Sequence, residues 1–296
     1  MKKTNKKLKP RIISTLISNL FLFSVSNVIA DESKPWSGLK IGIGVGGSSL
    51  ENKTSSNAQH TLDGLAEGYP NISDNFVGNA SNNQTQHKTN AFASLDAAYD
   101  YQVNDKLVFG LIADYKNGKK SIFQNSGSGT ASSAFESSDL AEDTSILIEG
   151  SSTLTSRLKT GESFALGLRA GWIVEKIYMP YLTAGLTTVK YSQSATYTAH
   201  TTGDSGPDYD YSTSASKDGH KLGGFIGAGL ETKIYDHASL KFEYRYSDYG
   251  SLKLNQSNSS LSEDTGILWP LSGSSVLNVE NKLTEQSLRA VISYDF

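Results

Sequence analysis

The sequence predicts an all-β protein, an eight-stranded antiparallel up-and-down transmembrane β-barrel with short periplasmic turns and four long extracellular loops. Three observations support this fold class. Apolar residues recur at a spacing of two, connections alternate between short and long, and the chain begins with an export signal. A spacing of two is the period of a β-strand, and the alternation of short turns with long loops is typical of outer-membrane barrels.

Residues 1–30 are predicted to be a secretory signal peptide. They contain six basic and no acidic residues, an apolar stretch, and the small-residue exit Val28-Ile29-Ala30. Basic, apolar and small-residue regions in this order define such a peptide. An N-terminal membrane anchor is the alternative, which the interspersed Ser and Asn residues disfavour. We expect residues 31–296 to form a barrel domain exported to the outer membrane of a Gram-negative bacterium.

Composition and charge exclude several function classes. The chain has 27 basic residues, 30 acidic residues and no cysteine. Without the six basic residues of the signal peptide, 21 basic and 30 acidic residues remain, a net charge of −9. Such a chain lacks the basic patch of a nucleic-acid binder. The absence of cysteine excludes disulfides, a thiolate nucleophile and Cys-ligated zinc.

The first three predicted strands alternate most regularly. Residues 39–45, 91–103 and 107–115 each present one apolar face and one face of small or polar residues. The pair Asn104-Asp105 lies between the second strand and the third and suits a two-residue turn.

Five further strands complete the predicted barrel. Residues 164–172 continue the pattern, and residues 180–191 form a fifth strand whose facing is ambiguous. Residues 225–234, 240–247 and 288–296 alternate again. The total of eight is an even number, as expected for bacterial outer-membrane barrels.

Four long connections separate these strands and are rich in Ser, Thr, Asn, Gly and Asp. They cover 52–88, 118–160, 192–220 and 251–282. Four such loops would be unusual in a compact soluble domain, whereas outer-membrane barrels carry long loops on their extracellular side.

Aromatic residues gather near the predicted strand ends, where an outer-membrane barrel has its aromatic girdles. The ordinary preference of Tyr for strands is the alternative for any single residue. The girdle candidates are Trp36, Tyr99, Tyr101, Tyr115, Trp172, Tyr181, Tyr244, Tyr246 and Tyr294.

Several strand segments carry a resemblance to a known family. The most specific block is Glu243-Tyr-Arg-Tyr-Ser-Asp-Tyr-Gly250. The others are Trp36-Ser-Gly-Leu-Lys-Ile-Gly42, Met179–Leu186, Gly227–Glu231 and Ser287–Phe296. These segments resemble the alphaproteobacterial small outer-membrane β-barrel (porin-like) family, which includes surface antigens and Bartonella-type hemin-binding outer-membrane proteins. The resemblance implies that the terminal Phe296 is presented to the barrel-assembly machinery. The long loops resemble nothing in that family.

Charged residues fall on the inward face of the predicted strands. An eight-stranded barrel has an interior just wide enough to be filled by side chains, and buried charges need partners. We therefore predict an ion-pair core and low, irregular conductance; an unpaired set would instead indicate a wet, selective pore. The eight charges are Lys40, Asp96, Asp114, Arg169, Glu231, Glu243, Arg245 and Arg289.

The third long loop concentrates Tyr and His, the residue types that ligate haem iron. The candidate ligands are His200, Tyr209, Tyr211 and His220. Hemin binding agrees with the resemblance to hemin-binding barrels. A polar surface loop without a ligand is the alternative, since loops carry such residues routinely.

These observations predict an outer-membrane surface protein that serves envelope structure and host or ligand interaction through its extracellular loops. A hemin-binding receptor is the alternative, and a small porin of low conductance is a weaker one. No catalytic residue, metal site or cofactor other than possible hemin is predicted, because no nucleophile elbow, P-loop or H-E-x-x-H motif occurs. The expected partners are outer-membrane lipid, the barrel-assembly machinery and host surface molecules, with no nucleic acid.

Overall fold

The described residues of this computed structural model are 35–66, 69–137, 144–201, 209–259 and 271–296. Within them the chain forms β-strands joined by turns. The strands are β1 (Gly38–Ala66), β2 (Tyr69–Gln102), β3 (Leu107–Gly118), β4 (Ser121–Ser137), β5 (Thr144–Trp172), β6 (Tyr178–Thr201), β7 (Tyr209–Tyr235), β8 (Ala238–Ser259) and β9 (Leu271–Asp295).

The strands form one closed antiparallel sheet. Neighbours in sequence pair from β5 to β9, and β1 closes the circle by pairing with both β2 and β9. Strands β3 and β4 are two parts of one arm, divided at Lys119 and Lys120, and each part pairs with both β2 and β5. The nine segments therefore make an eight-stranded up-and-down barrel, and the predicted fold class is confirmed.

Three short connections of the described chain lie at one end of the barrel, which we call the turn end. In the first, Asn104 Oδ1 accepts hydrogen bonds from the backbone N–H groups of Lys106 at 2.9 Å and Leu107 at 3.0 Å. The second places Glu175 and Lys176 in the left-handed region, with φ of 51° and 60°. The side chain of Asn104 thus replaces backbone partners that so tight a turn lacks.

Both ends of the described barrel lie at the turn end, where the N–H of Phe296 donates to the carbonyl of Leu39 at 2.9 Å. The predicted signal peptide, residues 1–30, lies outside the described residues. Among the residues that are described, no helix is long and apolar enough to cross a membrane.

The strands are much longer than a bilayer requires. Strand β2 has 34 residues, and β1 and β5 have 29 each, against roughly 9–11 for a tilted strand that crosses a membrane. The prediction of four long loops is corrected accordingly. The described residues of the segments predicted as loops are mostly strand, so they form four long hairpins at what we call the hairpin end.

A band of exposed apolar side chains surrounds the turn half of the barrel. Ile43, Leu168 and Leu182 are 63 %, 64 % and 67 % exposed. On β1 the outward face is apolar up to Val45 and then polar from Ser49 onward, while the inward face becomes richer in apolar residues. Apolar side chains outside and charges inside suit a barrel in lipid, and the reverse arrangement at the hairpin end suits water.

Aromatic side chains line the band near the turn end. Tyr99, Trp172 and Tyr294 are all exposed there, as expected of a girdle. Trp36 and Tyr181 were predicted to belong to the same girdle and this is wrong, because both are buried inside the barrel. Trp36 precedes the first strand, so alternation does not assign it to a face. Tyr181 lies in β6 directly before the outward-facing Leu182, so alternation places it inside the barrel.

Candidate functional site

The interior at the turn end contains a first group of buried ion pairs. Lys40 Nζ lies 2.6 Å from Glu231 Oε1 and 3.3 Å from Asp100 Oδ2. Arg169 contacts Asp100 with two nitrogens and Glu231 through Nη1 at 2.7 Å. These four side chains are at most 2 % exposed. Each charge therefore has the opposite charge beside it, which offsets the cost of removing it from water.

A second group lies beside the first and consists of Asp96, Asp114, Lys241, Glu243, Arg245 and Arg289. Arg245 Nη2 lies 2.8 Å from Asp114 Oδ2 and 2.9 Å from Glu243 Oε1. Arg289 Nη2 shares the same Glu243 oxygen at 2.9 Å. Lys241 contacts Asp96 directly. The carboxylates of Asp114 and Glu243 and the guanidinium groups of Arg245 and Arg289 form a closed network rather than separate pairs.

Aromatic side chains join the two groups and cover them at the turn end. The Tyr181 hydroxyl donates to Glu243 at 3.2 Å, and the Tyr181 ring centroid lies 5.4 Å from the Arg169 guanidinium carbon. The Trp36 ring lies 4.8 Å from Lys40 Nζ. Together the two groups contain five cations and five anions of the described chain. The result is a neutral, packed interior.

All eight predicted lumen charges lie in these two groups. Asp100 and Lys241 also belong to them but were missed by the sequence reasoning, which left aside charges near strand ends. Their inward facing was visible in the alternation, since Asp100 lies four residues after Asp96 and Lys241 two residues before Glu243. One glycine makes room here: a Cβ at Gly110 would overlap Asp100 Oδ1.

A β-bulge in β8 marks the boundary of the charged interior on the side of the hairpin end. Gly250 is left-handed, with φ of 64°, and its N–H donates to Asp248 Oδ1 at 2.7 Å. The bulge turns Tyr249 inward, where its hydroxyl donates to Glu285 at 3.0 Å. Lys116 Nζ lies 2.5 Å from the other Glu285 oxygen. A positive φ favours glycine, which explains why the sequence block that begins at Glu243 ends with a glycine at position 250.

The interior of the hairpin end is apolar and forms two layers. The layer next to the bulge contains Leu50, Phe123, Leu158, Val189, Tyr249, Leu252 and Leu283. The layer farther out includes Ala58, Phe76, Leu154, Tyr197, Tyr211, Leu254, Leu277 and Val279. Burying such side chains is worth roughly 25 cal/mol per Å² of apolar surface, which stabilises the hairpins beyond the apolar band.

A layer of hydrogen-bonded amides and hydroxyls separates the two apolar layers. Asn281 Oδ1 accepts from Asn52 Nδ2 at 2.9 Å and from Thr54 Oγ1 at 2.8 Å. Asn125 Nδ2 donates to Thr54 at 2.7 Å. Buried polar groups with such partners define one register for the strands that carry them.

His60 lies in the outer apolar layer and is fully buried. Its ring stacks on that of Tyr211, with centroids 3.4 Å apart and planes inclined by 8°. Burial lowers the pKa of His60 to about 4 and raises the pKa of the neighbouring Tyr197 to about 12. Both side chains are therefore neutral at pH 7.

The four predicted hemin ligands do not come together in the structure. His200 and His220 are exposed on the outer face of the hairpin formed by β6 and β7, whereas Tyr211 points into the barrel. His220 lies opposite Lys190, ten residues from His200 along β6, which is about 33 Å of strand. The side chain of Tyr209 lies outside the described residues. The four residues lie close together in the sequence, and this closeness gave no sign that the folded hairpin separates them.

A family model matches most of the chain. The family described as outer membrane protein beta-barrel domain matches residues 18–265. No curated protein matches the chain. The outer membrane protease OmpT from Escherichia coli is 14 % identical, covers 88 % of this chain and 97 % of its own, and has a TM-score of 0.31.

Two other solved structures show a similar degree of likeness. The attachment invasion locus protein Ail of Yersinia pestis is 13 % identical over 83 % of this chain and 99 % of its own, with a TM-score of 0.27. Neisserial surface protein A is 13 % identical over 83 % and 97 %, with a TM-score of 0.27.

Proposed function

Because the chain belongs to the outer membrane protein beta-barrel domain family, we propose that it serves envelope structure and presents its hairpins to host or ligand molecules outside the cell. It is an outer-membrane β-barrel protein. The observation that supports a contact function is the inversion of polarity along the strands. The hairpin end has a polar outer face and an apolar interior, which is how a water-exposed β-structure is built.

The packed interior favours this role over that of a porin. Paired charges fill the turn end, and Trp36 lies beneath them. Eight-stranded barrels have interiors just large enough for side chains. The proposal therefore assigns the function to the outer surface of the hairpins, and it includes no catalytic step.

The orientation required by this proposal can be tested by labelling single cysteines. The chain contains none of its own, so Ser214→Cys on the outer face of β7 and Asp236→Cys in a turn each provide one thiol. On intact cells, a membrane-impermeant maleimide is expected to label Ser214→Cys and to leave Asp236→Cys unlabelled. Asp236→Cys should react only after the outer membrane is permeabilised, because its turn faces the periplasm. The reverse pattern of labelling would refute the proposal.

We further propose hemin as a ligand of the hairpin surface, with His200 as an iron ligand. His200 Nδ1 lies 2.5 Å from Asp210 Oδ1, and its side chain is 49 % exposed. A carboxylate on one ring nitrogen orients a histidine and makes the other nitrogen a better metal ligand. His is a common axial ligand of haem iron. This pair, rather than the four residues together, supports hemin binding.

Hemin titration of the detergent-folded protein is expected to give a saturable shift of the Soret band. His200→Ala should abolish the shift, and Asp210→Asn should weaken binding by about 10–100-fold, the usual effect of losing such an orienting partner. His220→Ala is the matched control, since it removes the other exposed histidine of the same hairpin. A native protein without a saturable shift, or equal losses in His200→Ala and His220→Ala, would exclude His200 as the ligand.

A further inference from the structure

A recess on the outer surface of the barrel lies next to the apolar band, on the side of the band that faces the hairpin end. It has a volume of about 540 Å³ and is formed by β5, β6 and β7 together with Lys120, which lies between β3 and β4. The lysines around it are Lys120, Lys159 and Lys190, and His220 also lines it. On β6 the outward face changes from Leu186 and Thr188 to Lys190. The recess therefore lies where lipid headgroups meet the hydrocarbon.

The charge of the recess is positive. Lys190 Nζ lies 2.9 Å from Glu162 Oε1, and both side chains are partly exposed. Asp218 also lines the recess. Among the described residues, neither Lys120 nor Lys159 makes a direct ion pair, although the charge of Lys120 acts on Glu162 from farther away and helps to lower the pKa of that carboxyl. Exposed pairs such as Lys190–Glu162 contribute little, so all three lysines can turn towards an anion.

A second, apolar recess of about 680 Å³ lies nearer the turn end on β5, β6 and β7, and Phe109 of β3 and two tyrosines of β8 also line it. Small side chains at Ala170, Ala184 and Ala228 alternate there with Leu168, Leu182 and Ile226, all of them on the outer face. Ala184 and Lys190 are six residues apart, about 20 Å of strand. At the usual tilt of about 40° this spans about 15 Å of depth, half of a hydrocarbon core about 30 Å thick.

We propose that these two recesses form one binding site for a phosphorylated lipid of the outer leaflet. The lysines bind its headgroup phosphate, and one acyl chain lies in the apolar recess. Lysine binds phosphate as a point charge, and basic pockets at membrane interfaces take up anionic headgroups. The distance between the recesses matches the depth of one leaflet, which favours a lipid over a soluble anion.

The site can be tested on the folded protein in detergent by native mass spectrometry, with diphosphoryl lipid A as the probe. Saturable binding of one lipid per barrel is expected. The triple variant Lys120→Gln/Lys159→Gln/Lys190→Gln should weaken it by more than about tenfold. The matched control Lys53→Gln/Lys253→Gln/Lys282→Gln removes three other exposed lysines of the hairpin end and should stay within about twofold of native. Equal losses in the two variants would overturn the proposal.

Two further arms separate a lipid from a soluble phosphate. Ala184→Phe fills the apolar recess, so it should weaken lipid A and leave any binding of inorganic pyrophosphate unchanged. Pyrophosphate that binds native protein as tightly as lipid A would overturn the lipid assignment. The headgroup site can also be tested on the native protein without any variant. Removal of both phosphates from the probe should weaken binding by about tenfold or more. Unchanged binding of the dephosphorylated lipid would refute the headgroup site.

Discussion

Replacing Arg169 with methionine is expected to lower the free energy of unfolding by about 3–5 kcal/mol, the range found when one partner of a buried ion pair is removed. Arg169 contacts Asp100 and Glu231, whose side chains are fully buried. Without it, two carboxylates share the single charge of Lys40. Methionine fills a similar volume, so the loss comes from the uncompensated charge. Urea unfolding of the barrel folded into lipid vesicles measures the effect.

Lys253→Met is the matched control for this change. The Lys253 side chain is 62 % exposed and lies 3.8 Å from Glu280, and exposed pairs are worth about 0–1 kcal/mol. Adding Asp100→Asn and Glu231→Gln to Arg169→Met should recover part of the lost stability, because no unpaired carboxylate remains. An Arg169→Met variant as stable as the control would contradict the ion-pair core. So would large, uniform channels of the native protein in planar bilayers.

The charged interior could be predicted because the alternation of a β-strand assigns each residue to one of its two faces. Once Ile41 and Ile43 are assigned to lipid, Lys40 must point inward. The same argument on six other strands places charges of both signs in one narrow lumen, where they must pair. What alternation lacks is the stagger between strands. It therefore could not show that Arg169 reaches Asp100, or that Trp36 turns under Lys40.

The strand structure of the hairpins could not be predicted from the sequence, for a different physical reason. Beyond the band their inward residues include Ala58, Ser56 and Thr54, which give little apolar contrast with the polar outer face. The bulge at Tyr249 also shifts the inward positions of β8 from odd to even numbers. A regular period is lost at each such shift. Small inward residues and shifted alternation resemble a polar loop in sequence, although the backbone pairing continues.

Replacing Leu154 with alanine is expected to destabilise the hairpin end by about 2–5 kcal/mol, the usual cost of this change in a packed core. Leu154 is 1 % exposed and packs in the outer apolar layer with Phe76, Tyr197 and Leu277. In the lipid band the inward residues are charged, so leucine stabilises from the outside there. At the hairpin end it stabilises from the inside, and its loss leaves a cavity.

The damage should stay local, because the amide layer and the ion pairs lie between Leu154 and the turn end. Hydrogen exchange followed by mass spectrometry is expected to speed up by about 30-fold or more in the outer halves of β4, β5 and β6, corresponding to at least 2 kcal/mol. Exchange at the turn end and heat-modifiable migration on gels should not change. Thr153→Ala is the control, since Thr153 is the exposed neighbour of Leu154 on the same strand. Equal exchange in both variants would show that the hairpins have no core of their own, and uniform acceleration along the whole barrel would show that the hairpin end and the turn end unfold as a single unit.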